Sequence, residues 1–567
     1  MSPVAHEDPS TVRLWEDALA DEVIAGRAER GIKPDPAHPI VCASGISPSG
    51  PIHLGNLREV FTTHLVVEAL RRRGEDVVHL HSWDDYDRFR KVPAGVDPSF
   101  ARYLGMPLAS IPDPTREAGG GSYAEHFMGE LRVSLDALGI RMTERRQSEL
   151  YPAGTYNARI RTAMDHRLHV FDVLAGQQTA GRHERSAEER RREYYPFKPF
   201  CTECGRDDTR VVAYRDAVVV WECRHGHAGE MSLADGVEIS GKLVWKVDWP
   251  MRWAHERVAF EPAGEDHHAP TASFTVGRVI IADLYAGRAP DTTVYSFVSL
   301  AGVGGKMSGS VGGAPIPATA LDVLEPAILR WLYVRRLPRQ SFQIDLSPKA
   351  VQRLYDEWDR LAASVASGEA AADDVAIHRE STESSAGEVE RTARPVSFRL
   401  LASVSDLTQG DRTQIARIVA AHLGLDGEEA EPQALLASLQ PRLDCAIHYA
   451  TELVPEDQRT RVRSAFDPAA HRALEPEMRD AIAQLAGEMT EDWSIEGLTT
   501  LVYAIPKRMG GLSPDDPPSP EVKQAQRAFF KAVYSLTIGA DTGPRLPTLL
   551  LSIGPERARE LLVGPPG

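Results

Sequence analysis

Apolar residues in the first part of the chain follow two alternating patterns, which together predict a parallel α/β sheet. The run 39–42 is short and largely apolar, as in a buried strand. Apolar residues then recur at helical spacing over 57–70, and a second strand is predicted at 75–83. The intervening residues 43–56 are rich in glycine, serine and proline, so a loop is predicted at the carboxyl end of the first strand. Ligands bind at that edge of a doubly wound sheet.

The remaining segments carry different patterns. Residues 1–36 predict an amphipathic helical lead-in, and the alternation of apolar residues over 241–253 on its own favours a strand. Residues 364–395 contain much serine, glutamate, alanine and threonine but few large apolar residues, a composition that predicts a disordered insertion. Beyond them, apolar residues recur at helical spacing without strand signals, which predicts an all-α region.

Composition narrows the class of protein. A chain of 567 residues predicts two or three domains, and no apolar run approaches the roughly 20 residues that span a bilayer. We therefore expect a cytoplasmic protein without a membrane partner. The net charge of −17 argues against indiscriminate nucleic-acid binding, so no DNA partner is expected, although a local basic face could still bind RNA. Five cysteines are too few for a disulfide scaffold in a chain of this length.

Three of the cysteines form a metal-binding pattern. Cys201 and Cys204 have the spacing with which two thiolates bind one tetrahedral ion, and Cys223 follows after a gap typical of the two halves of a zinc ribbon. The fourth ligand is a histidine, either His225 or His227, and the sequence does not decide between them. All ligands come from one short module, so a structural Zn²⁺ is expected here rather than a catalytic one.

Two short motifs resemble the signatures of a known enzyme class. The sequence His53-Leu54-Gly55-Asn56 resembles the His-Ile-Gly-His signature of class I aminoacyl-tRNA synthetases, and its flanks are similar to those of class I (archaeal-type) lysyl-tRNA synthetases. Far downstream, Gly-Gly-Lys-Met-Ser-Gly-Ser at 304–310 resembles the second signature, in the same order. The block 245–253, with Trp-Pro-Met-Arg-Trp at its end, resembles a third segment of that family.

This resemblance implies an α/β fold in which a Rossmann-like catalytic domain spans residues 1–340. It implies an insertion at about 97–235 with a zinc knuckle at 200–230, and an all-α anticodon-binding domain at 341–567. The implied reaction is ATP-dependent ligation of L-lysine to tRNA(Lys) through a lysyl-adenylate, with Mg²⁺ accompanying ATP. A monomer is expected.

The resemblance also implies roles for individual residues. ATP would be bound by Pro48, Gly50, His53, Gly55, Asn56, Lys306, Met307, Ser308 and Ser310. Of these, His53, Asn56 and Lys306 would be catalytic, with Lys306 stabilising the departing pyrophosphate. The substrate lysine would lie against Gly45, Ser47, Asp84 or Asp85, Trp245, His267 and Tyr295. A flat indole such as that of Trp245 suits a methylene chain that ends in a cation.

One departure from the family pattern keeps two other functions open. Class I enzymes generally carry a second lysine in or just after the second signature, where this chain has Gly309 and Val311. A divergent synthetase paralogue that uses another amino acid or acceptor is therefore one alternative. A non-catalytic tRNA-binding homologue is the other, although the presence of His53, Asn56 and Lys306 argues against it.

Overall fold

The computed structural model describes residues 13–115, 120–176, 186–301, 315–385, 387–517 and 519–565. The chain forms two compact units. The first consists of Met1–Leu321, Pro326–Asp345 and Ser364–Val389, and the second of Asp322–Glu325, Leu346–Ala363 and Glu390–Gly567. In the described residues, no helix is both long and apolar enough to cross a membrane.

The strands are short and occur mainly before residue 345. They are β1 (Ile40–Ile46), β2 (Val77–Trp83), β3 (Thr143–Arg146), β4 (Phe197–Pro199), β5 (Thr209–Arg215), β6 (Val218–Cys223), β7 (Ala228–Ser232), β8 (Gly241–Leu243), β9 (Val258–Phe260), β10 (Ala263–Gly264), β11 (Val294–Tyr295), β12 (Val298–Leu300), β13 (Phe342–Ile344), β14 (Glu383–Ser384) and β15 (Gly387–Glu388).

The helices run through both units. Up to residue 382 they are α1 (Trp15–Glu29), α2 (Leu57–Arg72), α3 (Tyr123–Ala137), α4 (Gln147–Leu150), α5 (Asn157–Asp165), α6 (Arg167–Gly176), α7 (Ala187–Glu193), α8 (Trp245–Glu256), α9 (Ser273–Tyr285), α10 (Pro317–Leu321), α11 (Pro326–Val334), α12 (Pro348–Ser367) and α13 (Ala372–Thr382). After it they are α14 (Phe398–Leu407), α15 (Arg412–Leu423), α16 (Pro432–Ser438), α17 (Arg442–His448), α18 (Pro468–Arg472), α19 (Pro476–Glu488), α20 (Ile495–Met509), α21 (Pro520–Ile538), α22 (Leu546–Ile553) and α23 (Pro555–Val563).

The centre of the first unit is a parallel sheet with strand order β3-β2-β1-β9. The pattern of the sequence predicts its first two strands and the helix between them, and this prediction is confirmed. Helix α2 buries residues along nearly its whole length, including Val60, Phe61 and Leu65, because it packs against the sheet. The carboxyl ends of β1 and β2 therefore open at the same edge, which is the edge predicted to bind ligands.

The segment predicted as a strand over 241–253 is mostly helical. Strand β8 ends at Leu243, and helix α8 begins at Trp245. The helix is buried on several sides, with every residue from Val247 to Trp253 buried. A helix enclosed in this way loses the polar face that would reveal its period, so its apolar pattern alone could not distinguish it from a strand.

The prediction of a disordered insertion at 364–395 is wrong for the residues that the structure describes. Helix α13 lies in this segment, and Ala376 and Glu380 in it are buried. The fully buried Arg330 of α11 donates hydrogen bonds to the carbonyl oxygens of Glu380 at 2.6 Å and Glu383 at 3.0 Å. A buried cation that binds backbone carbonyls fixes this segment without needing large apolar residues, which is why composition misled the prediction.

The second unit is helical, as its apolar periodicity predicts. Residues such as Val502, Phe529 and Leu549 are fully buried in it. A buried ion pair joins Arg442 to Glu325 at 2.6 Å, and Asp359 contacts the same guanidinium at 2.8 Å. Two carboxylates facing one arginine satisfy the charge of this interior site.

Candidate active site and metal centre

The first signature forms the start of helix α2. Strand β1 ends at Ile46, and a 3₁₀ turn over Leu54–Asn56 leads directly into the helix. The backbone N–H of His53 donates a hydrogen bond to Oδ1 of Asn56 at 3.2 Å, so these two residues are held together at the helix start. The hydroxyl of Tyr333 donates to the carbonyl of Leu54 at 2.7 Å and fixes the turn from behind. An N-terminus of this kind is suited to bind phosphate oxygens.

The loop before this turn packs closely against neighbouring segments of the same chain. A Cβ atom added to Gly50 would lie 3.0 Å from Pro93, and one added to Gly45 would lie 3.3 Å from the carbonyl oxygen of Ser82. Pro48 and Gly50 are buried, whereas Ser47 and Gly55 are partly exposed. The glycines are therefore needed for close packing, and the loop is held in one path along the sheet edge.

Three acidic side chains lie near this loop, and few cations among the described residues neutralise them. Glu59 accepts a hydrogen bond from the backbone N–H of Gly45 at 2.7 Å and another from the hydroxyl of Tyr295 at 2.9 Å. Glu261 accepts from the indole N–H groups of Trp249 at 3.0 Å and Trp253 at 2.5 Å. Asp84 is the one that pairs with a cation, accepting from Arg252 Nη1 at 2.8 Å.

The electrostatics of this group follow from that shortage of cations. Burial, helped by the nearby carboxylates of Glu261 and Asp84, raises the pKa of Glu59 to about 8. Burial likewise raises the pKa of Glu261 to about 7 and that of Asp84 to about 6. A cationic ligand at this place would lower all three pKa values by pairing with the carboxylates.

A cavity beside these carboxylates is walled by aromatic rings. Gly45, Asp84 and Glu261 line it together with Trp245, Trp249 and Arg252. The rings of Trp245 and Trp249 are stacked, with centroids 5.1 Å apart and an interplanar angle of 18°. His267 lies edge-on to Trp249 at 5.4 Å, so this predicted pocket histidine joins the same aromatic group.

The structure separates the two aspartates that the sequence left as alternatives. Asp84 lines the cavity, whereas Asp85 does not appear among the residues that line it. The carboxylate of Asp85 instead accepts hydrogen bonds from the backbone N–H and the hydroxyl of Ser148 at 2.8 and 2.5 Å, and from Arg146 at 3.1 Å. Asp85 therefore organises the start of α4.

A chain of buried charges lies behind the cavity wall. Arg252 contacts Asp84 on one side and Asp248 at 3.1 Å on the other. Lys242 of β8 lies 3.4 Å from Asp248 and 2.6 Å from Asp87. Three carboxylates, those of Asp84, Asp248 and Asp87, thus share two cations.

A second cluster lies in the inserted module between β4 and β8. One ligand atom from each of Cys201, Cys204, Cys223 and His227 lies within 4.8 Å of every other. Cys201 Sγ is 3.3 Å from His227 Nδ1, and the Sγ atoms of Cys204 and Cys223 are 3.8 Å apart. Zinc–sulfur bonds of about 2.3 Å in a tetrahedron separate sulfur atoms by about 3.8 Å, so the donor set and spacing fit Zn²⁺.

Local structure explains this arrangement. Cys201 and Cys204 flank a turn in which the backbone N–H of Gly205 donates to the carbonyl of Cys201 at 2.8 Å. Cys223 ends β6, and its N–H donates to the carbonyl of His227 at 2.7 Å across the next turn. His225 points elsewhere, with Nε2 3.3 Å from Asp208 Oδ2. The structure therefore groups His227, and not His225, with the cysteines.

Part of the predicted site lies outside the described residues. These residues are Lys306, Met307, Ser308 and Ser310 of the second signature, together with Gly309 and Val311.

Sequence reasoning missed three residues of the candidate site, namely Glu59, Glu261 and Arg252. Glu59 lies three residues after Asn56, on the helix that the first signature opens, and helical spacing could have placed it beneath the loop. Glu261 and Arg252 carry no such signal, because their positions depend on how α8 packs on the sheet.

The chain is similar to one protein family and to several known proteins. A family model described as tRNA synthetases class I (K) matches residues 13–387. A curated protein from Streptomyces coelicolor named lysine–tRNA ligase is 43% identical and aligns over 97% of this chain and 98% of its own. Another lysine–tRNA ligase, from Pyrococcus horikoshii, is 33% identical over 95% of this chain and 97% of its own. Among solved structures, a glutamate tRNA ligase from Elizabethkingia meningosepticum covers 92% of this chain and 98% of its own, with 13% identity and a TM-score of 0.41.

Proposed function

The chain belongs to the class I tRNA synthetases of the lysine type, and we propose that it ligates L-lysine to tRNA(Lys) at the expense of ATP. The lysine carboxylate attacks the α-phosphorus of ATP, the bond to the β-phosphate oxygen breaks, and lysyl-adenylate and pyrophosphate form. A terminal ribose hydroxyl of the tRNA then attacks the lysyl carbonyl, and AMP leaves. No covalent intermediate with the protein is needed, so positioning and charge stabilisation supply the catalysis.

The observation that carries this proposal is the group of under-neutralised carboxylates beside an aromatic wall. Lysine is a methylene chain that ends in an ammonium group, and the cavity offers aromatic rings for the chain and carboxylates for the ammonium. Asp84 and Glu261 line the cavity, and Glu59 contacts its wall through the backbone N–H of Gly45. Trp245 lines the cavity, and we assign the contact with the methylenes to its indole. Glu59 is bound by a backbone N–H and a tyrosine hydroxyl, neither of them charged, so it can accept the ammonium of lysine.

The other predicted residues keep their proposed roles. His53 and Asn56, at the start of α2, bind the phosphate groups of ATP, together with Pro48, Gly50 and Gly55 of the loop and with Lys306, Met307, Ser308 and Ser310. Mg²⁺ enters bound to ATP. Ser47, His267 and Tyr295 complete the lysine pocket with Gly45 and Asp84.

Zinc is proposed as a structural ion. Cys201, Cys204, Cys223 and His227 would hold it, and its bonds would close the two turns of the inserted module against each other. The module carries no catalytic step.

We also propose that the helical part after residue 341 binds the anticodon of the tRNA. The boundary between the proposed domains is not a single point, because the compact units interleave between residues 322 and 389. A monomer that acts without DNA or a membrane remains a prediction.

Lysine-dependent exchange between ATP and pyrophosphate, measured with and without tRNA(Lys), tests the proposed function. We expect exchange with lysine and none with arginine, ornithine or glutamate. In Glu59→Gln the isosteric amide loses the negative charge, and the KM for lysine should rise about 100-fold while the KM for ATP stays within about twofold. Glu230→Gln, an exposed change on β7, is the matched control.

Two results would contradict the proposal. Exchange with another amino acid but not with lysine would identify a divergent paralogue. Failure of a folded protein to bind ATP would favour the non-catalytic homologue.

A further inference from the structure

The turn that carries the first two cysteines of the zinc cluster lies close to the part of the chain that supplies Asp84 to the cavity. We define the zinc turn as residues 201–207 and the pocket loop as residues 84–89, which begin directly after β2. A third stretch, residues 102–109, is hydrogen-bonded to both of them, and we call it the bracing segment. The three segments therefore form a physical connection between the inserted module and the lysine pocket.

The pocket loop is bound to the bracing segment through its backbone. The N–H of Leu108 donates to the carbonyl of Asp87 at 2.9 Å, and the N–H of Phe89 donates to the carbonyl of Met106 at 2.8 Å. The carbonyl of Phe89 in turn accepts from the N–H of Gly105 at 2.9 Å. These bonds resemble the pairing of two antiparallel strands, so a shift of the bracing segment would move the pocket loop with it.

The zinc turn holds the bracing segment from the other side. The guanidinium of Arg206 donates hydrogen bonds to the carbonyl oxygens of Arg102 and Leu104, where a short 3₁₀ helix ends. The backbone N–H of Asp207 donates to the carbonyl of Gly105 at 2.9 Å. Carbonyls at the end of a helix lack intrahelical donors, and an arginine that binds two of them supplies charge-assisted hydrogen bonds. Arg206 thus attaches the bracing segment to the module.

Close packing at this contact leaves little room for the two segments to shift. A Cβ atom added to Gly105 would lie 3.3 Å from Oδ1 of Asp207 and 3.4 Å from Cβ of Arg206. On the other side, a Cβ atom added to Gly205 would lie 3.2 Å from Cε of Met106. Both glycines have positive φ, +87° and +71°, a conformation that other residues rarely adopt. The two backbones can approach this closely because a glycine lies on each side.

Buried charges connect the pocket loop to Asp84. The carboxylate of Asp87 lies 2.6 Å from the ammonium of Lys242, which lies 3.4 Å from Asp248. Arg252 lies 3.1 Å from Asp248 and holds Asp84 at 2.8 Å. These groups interact in the protein interior, where electrostatic interactions are stronger than in water. A displacement of Asp87 would therefore change how the two cations divide between the carboxylates, and with it the position of Asp84.

We propose that Arg206 is a positioning residue for Asp84. By binding the bracing segment it fixes the pocket loop, and through the buried charges it fixes the carboxylate that faces the lysine substrate. The ion pair between Arg88 and Asp207, at 2.7 Å, joins the pocket loop directly to the zinc turn but adds little, because half of the Arg88 side chain is exposed. The inference rests on the proposed function, from which it takes the identity of the substrate.

Pyrophosphate exchange by the zinc-loaded full chain tests the inference. Arg206→Ala should raise the KM for lysine about tenfold, because it removes two charge-assisted hydrogen bonds that hold the pocket loop in place. The KM for ATP should stay within about twofold, since the proposed contact of Asp84 is with the amino acid and not with the nucleotide. Arg210→Ala is the matched control, because Arg210 belongs to the same module but is exposed and pairs with Glu222 at 3.1 Å. It should leave both KM values unchanged.

Amide exchange gives a second readout that does not depend on catalysis. The N–H groups of Phe89 and Leu108 join the pocket loop to the bracing segment, so they should exchange about tenfold faster in Arg206→Ala and at the wild-type rate in Arg210→Ala. The zinc content should remain one ion per chain in both variants, because neither arginine belongs to the ligand cluster. Should Arg206→Ala lose zinc, Gly105→Ala decides, since it strains the same contact from the bracing segment and leaves the module unchanged. It should raise the KM for lysine in the same way.

An unchanged KM for lysine in the zinc-loaded variant would overturn the inference, as would an equal rise in Arg210→Ala or an equal rise in the KM for ATP. If the wild type activates lysine and Arg206→Ala does so equally well, the inference fails and the proposed function stands. If the wild type does not activate lysine, the proposed function fails. Faster amide exchange in Arg206→Ala alone would then still support the connection, and equal exchange in both arginine variants would refute it.

Discussion

The hydroxyl of Tyr295 donates a hydrogen bond of 2.9 Å to Oε2 of Glu59. The backbone N–H of Gly45 occupies the other carboxylate oxygen, so Glu59 is fixed from two directions by neutral donors. A carboxylate held in this way has its orientation set before any ligand arrives, and neither donor neutralises the charge that it takes on when a cationic ligand binds. Tyr295 is therefore a positioning residue for Glu59.

Removing only this hydroxyl should weaken lysine binding. We expect Tyr295→Phe to raise the KM for lysine about tenfold, because a hydrogen bond to a charged group is worth roughly 1.5–3 kcal/mol. The KM for ATP should not change, and steady-state pyrophosphate exchange at varied lysine and varied ATP measures both. An unchanged KM for lysine would show that Glu59 does not depend on Tyr295.

Lysine binding should depend on pH because the pocket carboxylates must ionise. The pKa of Glu59 is raised to about 8 and that of Glu261 to about 7 by burial, so in the free protein at pH 7 each carries a proton part of the time. The lysine ammonium favours the ionised carboxylates, so binding releases protons, and the affinity should increase as the pH rises from about 6 to about 8.5.

Calorimetry in buffers of different ionisation enthalpy measures the number of protons released at pH 7. That number should fall in Glu59→Gln, in which the main titrating group is absent. Affinity that decreases with pH over this range would contradict the assignment of Glu59 as the ammonium-binding group.

The sequence predicted the edge of the sheet more reliably than the contents of the pocket. The glycine-rich segment 43–56 could be recognised in the sequence because close packing against another segment restricts the residue type. Gly45 and Gly50 are examples. Glu59 and Arg252 become site residues only through packing between distant segments, which leaves no local signal. The same reason explains the error over 364–395, where two carbonyl contacts of Arg330, to Glu380 and Glu383, order the chain in place of large apolar side chains.

The choice between the two histidines of the inserted module could likewise not be made from spacing. Both lie within a few residues of Cys223, and only the turn that brings the carbonyl of His227 to the N–H of Cys223 separates them. Backbone geometry, and not residue type, selects the ligand.

Metal analysis of purified variants tests that selection. We expect the wild type and His225→Gln to contain one Zn²⁺ per chain, and His227→Gln to lose most of it, because three thiolates without the imidazole leave the tetrahedral site incomplete. Zinc loss should also increase amide exchange in β5–β7, since the ion links the turn before β5 to the turn between β6 and β7. Equal zinc loss in both variants would mean that the two histidines share the role, against the geometry of the site.

Acid should destabilise the first unit through buried histidines. His79 and His81 of β2 both contact the hydroxyl of Ser44, at 3.0 and 2.8 Å, and the other ring nitrogen of each has no hydrogen-bond partner among the described residues. Burial lowers the pKa of His81 to about 4, and it lowers the pKa of His79 well below its ordinary value. Since the unfolded value is about 6.5, the folded state binds fewer protons, and the stability is present above pH 6.5 and is lost as the pH falls toward 4.

For His81 alone this loss between pH 7.5 and pH 5 amounts to about 2 kcal/mol. His81→Gln does not titrate in this range, so the difference between its urea midpoints at the two pH values should be smaller than that of the wild type. The exposed His38→Gln is the control and should keep the wild-type difference. The nearby Arg132 and Glu144 shift the pKa of His81 in opposite directions, so neither should reverse the sign. A wild-type protein whose urea midpoint is the same at pH 5 and pH 7.5 would show that these imidazoles take up protons without unfolding the sheet.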